Sequence, residues 1–463
     1  MRARSQDRSA LRIVPSPRSA RARHLGVALL HLGALHLPGA PVLASGPEPQ
    51  RIETHTLANG MRVVLWPDHS IPNLALYTFF RVGSRNERPG ITGLSHFFEH
   101  MMFLGSKDYA PGEFDRVMEA AGGANNAFTQ RDITVYQDWF PRSALPTIFA
   151  LEADRIAHLS IDSTSVESER GVVASERRRS VEDDNIQSLD EENWAAAFKA
   201  HPYQWPVIGW MVDIENWKIE DLYAYFRTYY APNNATLVAV GDFQPQEILE
   251  LCKKHLEPIA RGPQPQPVTT VEPVQKGERR TELGRPAQVG AVVASWHVPA
   301  TAHADYSSLR VLETLLLHGE SSRLHLRLVE KDALALRVFG GLDLALDPTL
   351  FQVYVQLLQG TEPAACEKAL YEEIDRLAAE PPSERELRKA KNQLAADFYR
   401  QLQTISGKAL ALGFSDVYFA DPRAFLDAVK RYEAVSGPEL QRVAKTWFGK
   451  DNRTVSILVP EAE

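Results

Sequence analysis

The chain has 463 residues, too many for one ordinary hydrophobic core, and this length indicates about two to four domains. Hydrophobic residues make up 44% of the chain and charged residues 24%, which excludes a disordered or fibrous protein. The formal net charge is -8, so the charge balance does not favour nucleic acid as a partner.

Residues 1–44 have the composition of a targeting leader. They contain seven arginines and one acidic residue, Asp7, so a mature chain without them would carry a net charge of -14. The apolar run from Leu25 to Leu37 and the small residues up to Ala44 predict a signal peptide and a periplasmic or secreted protein. A membrane anchor is less favoured, because spanning a bilayer takes roughly 20 apolar residues. An Arg-rich leader also fits a mitochondrial presequence, so the mitochondrial matrix is the alternative location.

Strand and helix patterns follow each other in the same order twice along the chain, which indicates a duplicated unit. The Pro- and Gln-rich stretch between the two copies predicts an extended linker at residues 258–278. An N-terminal domain would then span residues 45–257 and a homologous C-terminal domain residues 279–463. The predicted fold class is α+β, with helices packed on a mostly antiparallel sheet in each domain. No stretch after the leader is apolar for long enough to predict a membrane span.

The segment from Ser95 to Met101 carries two histidines four residues apart. Thr92 as N-cap and Gly105 as the terminating glycine predict a helix from Gly93 to Leu104. On a helix, positions four apart lie on one face about 5–6 Å from each other, so His96 and His100 can bind one ion. A catalytic zinc site needs a third protein ligand. The alternative is two ordinary histidines on an otherwise apolar helix.

The third ligand is sought among the acidic residues downstream, because the two cysteines, Cys252 and Cys366, offer no cysteine zinc site. Glu169 and Glu176 are seven residues apart, so on a helix they lie within about 20° of the same face. One carboxylate of such a pair can bind a metal while the other holds a ligand imidazole. The alternative is a solvated helix face with ordinary ion pairs, for example to Arg170.

The combination of strings in this chain is similar to a known family. His96-Phe97-Phe98-Glu99-His100, followed by Glu169 and Glu176, resembles the inverted zinc motif of the pitrilysin, insulinase and mitochondrial processing peptidase family. The likeness extends over about residues 50–460 and is closest to the short bacterial members that are similar to the mitochondrial processing peptidase. It includes the strings GSRNE (83–87), GGANNAFT (122–129), HPY (201–203) and YYAPNNATLVAVGDF (229–243).

The resemblance implies a zinc endopeptidase whose two domains form half of a clamshell. It implies one Zn²⁺ per chain bound by His96, His100 and Glu176, with Glu99 as general base and Glu169 as the carboxylate that supports a ligand. It also implies that a peptide substrate adds as a strand to a sheet edge, where backbone pairing gives affinity. The residues expected at that edge are Asn125, Asn126, Ala127 and Thr129.

One departure from the family pattern concerns the second half. Members that complete the site within one chain carry an Arg and a Tyr seven residues apart, where this chain has Val329 and Leu336. Neither side chain can donate a hydrogen bond, and Arg323, Arg327 and Arg337 do not keep the spacing. We therefore expect a homologous partner subunit to supply the Arg and Tyr. The alternatives are a non-catalytic binding or scaffold subunit and a mitochondrial presequence-processing peptidase.

Overall fold

The computed structural model describes residues 52–461, so the predicted leader at residues 1–44 lies outside the described part. The strands are β1 Glu53–Thr56, β2 Arg62–Pro67, β3 Asn73–Phe80, β4 Ala124–Thr129, β5 Thr134–Pro141, β6 Ala235–Gly241, β7 Arg279–Pro286, β8 Ala291–Val298, β9 Ala335–Leu342, β10 Thr349–Leu357 and β11 Arg453–Glu461. The helices of the first half are α1 Leu94–Met101, α2 Glu113–Ala120, α3 Leu145–His158, α4 Ser163–Arg177, α5 Asn185–Ala197, α6 Met211–Asn216, α7 Ile219–Tyr229 and α8 Pro245–Leu251. Those of the second half are α9 Tyr306–Leu317, α10 Pro363–Ala379, α11 Glu384–Gln401, α12 Ile405–Phe419, α13 Ala428–Ala434 and α14 Gly437–Trp447.

The strands form two sheets with related topology. The first has the order β1-β2-β6-β3-β5-β4 and the second the order β7-β11-β8-β10-β9. In each sheet one pair is parallel, β2 with β6 and β7 with β11, and the other pairs are antiparallel. The predicted α+β class with mostly antiparallel sheets is confirmed, and the shared strand order agrees with the repeat seen in the sequence.

Helices cover one face of each sheet, and a separate hydrophobic core lies between the helices and the sheet in each half. The core of the first half packs α1, α3, α4 and α7 against one face of the first sheet, and that of the second half packs α9, α10, α11 and α14 against the second sheet. Residues 260–276 between the halves form no helix or strand. The division into domains at 257 and 279 stays a prediction.

Two helices pack across that predicted boundary. Leu189 of α5, from the first half, lies in a core cluster with residues of the second sheet, namely Ala291, Val293 and Leu458. Conversely, α12 of the second half covers the outer face of the first sheet, and its buried residues include Ile405, Ala409 and Leu412. Asp416 of α12 accepts hydrogen bonds from Arg62 and Arg81 at 2.5 Å each. The two halves therefore share packing through an exchanged pair of helices.

None of the helices between residues 52 and 461 combines the length and the apolar character needed to cross a bilayer.

Candidate metal and peptide-binding site

Helix α1 presents its polar side chains on one face because its apolar ones are buried. Leu94, Phe97, Phe98 and Met101 lie in the core of the first half. His96, Glu99 and His100 are only partly buried. The predicted helix is observed over Leu94–Met101, but Thr92 is not its N-cap. Gly93 takes that position with φ of 87°, in the left-handed region that glycine tolerates, and the Thr92 hydroxyl donates to Asp213 instead.

The three predicted metal ligands converge. Nε2 of His96 lies 3.8 Å from Oε1 of Glu176, and Nε2 of His100 lies 3.4 Å from Oε2 of Glu176. Within residues 52–461 this is the one group of three or more His, Cys, Asp or Glu side chains whose ligand atoms all lie within 4.8 Å of one another. Tetrahedral zinc with bonds of about 2.0–2.1 Å separates its ligand atoms by roughly 3.4 Å. Both the donor types and their spacing fit zinc.

Glu169 lies behind His100. Its Oε1 is 2.8 Å from Nδ1 of His100, and the Glu169 side chain is buried. An N–H at Nδ1 that donates to Glu169 leaves the lone pair of Nε2 directed toward Glu176 and available to a metal. For Nδ1 of His96, by contrast, no hydrogen-bond partner occurs among the described residues. Glu169 and Glu176 therefore lie on one face of the helix, as predicted. Glu169 is beside Nδ1 of the His100 ring and Glu176 is beside Nε2.

The metal-free electrostatics of the two histidines differ. Burial and the neighbouring His100 lower the pKa of His96 to about 4. Burial also lowers the pKa of His100, but hydrogen bonds to Glu169 and Glu176 outweigh it and raise the pKa to about 9. His96 is thus a neutral donor at neutral pH, whereas His100 carries a proton that a metal ion would displace.

Glu99 lies on the side of α1 that faces strand β4. Burial raises the pKa of its carboxyl group, although the hydroxyl and N–H of Thr129 and the nearby His100 act in the opposite direction. A carboxyl group with a raised pKa is better suited to accept and then release a proton near neutral pH.

Strand β4 is the edge of the first sheet. It pairs with β5 alone among the described strands, so its other backbone edge has no strand partner there. Asn125, Ala127 and Thr129 alternate with Asn126 and therefore point to the opposite face. Ala127 packs on the core that contains α1, and the Asn125 amide donates to Asp115 at 2.9 Å. Asn126 is exposed. The four predicted residues thus lie on the expected edge, but on its two faces.

Two family models match this chain. The family model described as insulinase (Peptidase family M16) matches residues 62–209, and the model described as the Peptidase M16 inactive domain matches residues 216–394. The zinc protease PqqE of Helicobacter pylori is 31% identical over 414 residues, which cover 88% of this chain and 93% of that protein.

The chain belongs to the insulinase family.

Solved structures support the same assignment and the fold. The crystal structure of a protease from Helicobacter pylori matches with a TM-score of 0.85 and 31% identity, covering 88% of this chain and 99% of that one. The first half of the periplasmic protease PqqL from Escherichia coli matches with a TM-score of 0.72 and 20% identity, covering 90% of this chain and 93% of that one. The second likeness concerns the fold, and it agrees with the prediction that the two sheets form half of a clamshell.

An open cleft of about 550 Å³ adjoins the metal donors of this insulinase-family chain. His96 and Glu176 line one side of the cleft, and residues of α5 line another. The guanidinium of Arg131 stacks on the ring of Trp194 at 3.4 Å from its centroid. A larger cavity of about 730 Å³ lies between α3, α7 and the start of the linker, but no predicted site residue lines it. The side chains that line the smaller cleft, rather than the cavity volumes, therefore indicate that it is the candidate binding site.

The positions that depart from the family pattern lie in the second half. Val329 packs against the core of that half, and Leu336, at the start of β9, is 49% exposed. Arg323 pairs with Glu386, and Arg327 pairs with Asp332 and Glu372. These two arginines are held by carboxylates of their own half, so neither is a free substitute for the missing Arg.

Sequence patterns did not predict the two tyrosines that hydrogen-bond the backbone of α1. The hydroxyls of Tyr136 and Tyr230 donate to the carbonyls of Phe98 and Ser95 at 2.8 and 2.9 Å. Tyr136 lies on β5 and Tyr230 directly after α7, far from the motif in the sequence. Tyr136 lies in a strand and Tyr230 within the family string at 229–243. Neither pattern shows what the hydroxyl bonds to, because that partner is set by tertiary packing.

Proposed function

We propose that this chain is a zinc-dependent endopeptidase that hydrolyses peptides or unfolded polypeptide segments. The observation that carries the proposal is the convergence of His96, His100 and Glu176, with Glu99 on the same helix and a sheet edge beside it. A non-catalytic scaffold would have no chemical need for this set of four side chains.

Each residue of the site has a role in this proposal. Zinc held by the two imidazoles and Glu176, one ion per chain, would act as a Lewis acid on the scissile carbonyl and lower the pKa of the attacking water. Glu99 takes the proton from that water and returns it to the leaving amine. Glu169 keeps the His100 ring in the tautomer and orientation that direct Nε2 to the metal.

The peptide would bind along β4. A free sheet edge offers backbone N–H and C=O groups to any extended chain, so pairing there tolerates many sequences. Asn125, Asn126, Ala127 and Thr129 would flank the bound strand, and the cleft beside His96 would accept a substrate side chain. Such recognition suits unfolded segments better than folded proteins, because only an extended backbone can add to the edge.

We further propose that the chain is the zinc-carrying subunit of a heterodimer. Val329 and Leu336 cannot hydrogen-bond an oxyanion, and loss of one such donor costs roughly 100- to 1,000-fold in rate. A homologous subunit that carries the Arg and Tyr would restore the donors. The leader supports a periplasmic or secreted location, and N-terminal sequencing of the mature protein should then give a start near Ser45.

The test uses the mature chain with and without such a partner. We expect one zinc per chain, little cleavage of a quenched peptide by the chain alone, and cleavage once the partner is added. Glu99→Gln should lower the rate of that cleavage about 100- to 10,000-fold while zinc stays bound. Absence of stoichiometric zinc, or full activity of Glu99→Gln, would refute the peptidase proposal. Full activity of the native chain alone would refute only the division of labour.

A further inference from the structure

The GSRNE string (83–87) has no role in the proposed chemistry, yet its last residue, Glu87, contacts helix α1, which carries His96 and His100. Glu87 is buried, with 5% of its surface exposed, in the loop between β3 and α1. Its Oε2 accepts the N–H of Gly93 at 2.7 Å, and its Oε1 accepts the N–H of Ser95 at 2.8 Å. Ser95 directly precedes the ligand His96, so Glu87 binds the first turn of α1 beside a metal ligand.

These hydrogen bonds replace the usual cap of a helix. The first N–H groups of an α-helix have no partner within the helix, and normally the side chain of the N-cap residue accepts one of them. Gly93 has no side chain, and the start of α1 is buried. Glu87 therefore supplies from outside the helix the hydrogen-bond acceptors that the N-cap residue cannot supply.

A second carboxylate holds the residues that lead into α1. Oδ2 of Asp213 accepts the N–H groups of Gly90 and Thr92 at 3.1 Å each and the Thr92 hydroxyl at 2.6 Å. The backbone is also closely packed, since a Cβ at Gly93 would lie 2.3 Å from the carbonyl oxygen of Ile208. Residues 90–95 are thus fixed on two sides, which leaves little freedom in where the helix begins.

The start of α1 bears directly on the metal site because the helix is short. It has eight residues, and both of its histidine ligands face Glu176 on another helix, α4. A rotation or shift at its first turn would move both imidazoles relative to Glu176. A catalytic metal site tolerates displacements of only about 0.5 Å.

We propose that Glu87 is a positioning residue that sets where α1 begins and thereby places His96 and His100 opposite Glu176. The inference deepens the proposed function and rests on it, because it takes the bound ion to be a catalytic zinc. Glu87 acts through the helix backbone and does not itself touch the metal or the peptide.

Two variants test the inference. In Glu87→Gln the amide oxygen can accept one N–H, but the amide nitrogen cannot accept the other. In Glu87→Asp the carboxyl group is kept, but the side chain is one methylene shorter. The matched control is Glu386→Gln, which removes the carboxylate that caps α11 in the second half, where it bonds Ser383 and Arg323, neither of which is a proposed metal ligand.

The readouts separate positioning from stability. Zinc affinity is measured by competition with a chromophoric chelator, and the visible spectrum of the Co²⁺-substituted protein reports the ligand geometry. We expect both Glu87 variants to bind zinc roughly tenfold more weakly and to show an altered cobalt spectrum. With the partner present, kcat should fall and KM should stay near the native value. Glu386→Gln should lower only the melting temperature.

Native zinc affinity and a native cobalt spectrum in folded Glu87→Gln and Glu87→Asp would overturn the inference. Failure of both variants to fold would overturn it too, because Glu87 would then serve the stability of the fold. Failure of the native chain to bind zinc or cobalt would refute the proposed function instead, and it is seen before any variant is compared.

Discussion

Replacing Glu169 with Gln tests whether the buried carboxylate behind His100 controls metal binding. In the native chain Glu169 Oε1 lies 2.8 Å from Nδ1 of His100. A glutamine can turn its NH₂ group toward Nδ1, which favours the tautomer with the proton on Nε2, the nitrogen that should bind the metal. We therefore expect a loss of zinc affinity even though the side chain keeps its shape.

The size of the loss follows from the contact. A hydrogen bond to a charged group contributes about 1.5–3 kcal/mol, and removal of such outer partners typically weakens metal binding about 10- to 100-fold. Since tenfold in affinity corresponds to about 1.4 kcal/mol, the two figures agree. Chelator competition measures the zinc affinity of Glu169→Gln, and peptide cleavage at saturating zinc measures what remains of the activity.

The control is Glu167→Gln on the same helix. The Glu167 side chain is 76% exposed and pairs with Arg170. This variant removes the same charge two residues earlier but does not touch a histidine. Equal zinc affinity in Glu169→Gln and the native chain would refute the reasoning. An equal weakening in both variants would refute it as well, because a general loss of negative charge would then explain the effect.

Three further predictions concern the proposed general base Glu99, the stability of the metal-free protein and the packing of α12 on the first sheet. Glu99→Gln should bind as much zinc as the native chain but lower kcat about 100- to 10,000-fold in the peptidase assay. A smaller effect would exclude Glu99 as general base. His100 has a pKa of about 9 in the metal-free fold and about 6.5 unfolded, so its contribution to stability is complete below pH 6.5 and is lost as pH rises to 9. Melting temperatures of chelator-treated protein should fall over that range, and a flat profile would contradict the shift. Gly413→Ala should destabilise the fold by about 1–3 kcal/mol in denaturant titration, because its Cβ would lie 2.0 Å from the Phe79 ring. A Gly→Ala change in a helix without that contact would stabilise the fold by up to about 1 kcal/mol. The sign of the change in unfolding free energy therefore shows whether α12 packs on Phe79.

The sequence by itself indicated which side chains could form the proposed metal site. A helix brings residues four apart, such as His96 and His100, onto one face, and it does the same for Glu169 and Glu176 at a spacing of seven. These relations are local, so they could be predicted before any fold was known. The repeated order of strands was also visible, because strand and helix periods are properties of short segments.

Only the tertiary structure decided what surrounds that site. Which strand is a sheet edge depends on the order of pairing, and β4 became the edge through contacts among residues far apart in the chain. The same holds for Glu87 at the start of α1 and for the packing of α5 and α12 across the predicted domain boundary. Sequence patterns show which side chains must be buried, but the partners that bury them are fixed by long-range packing.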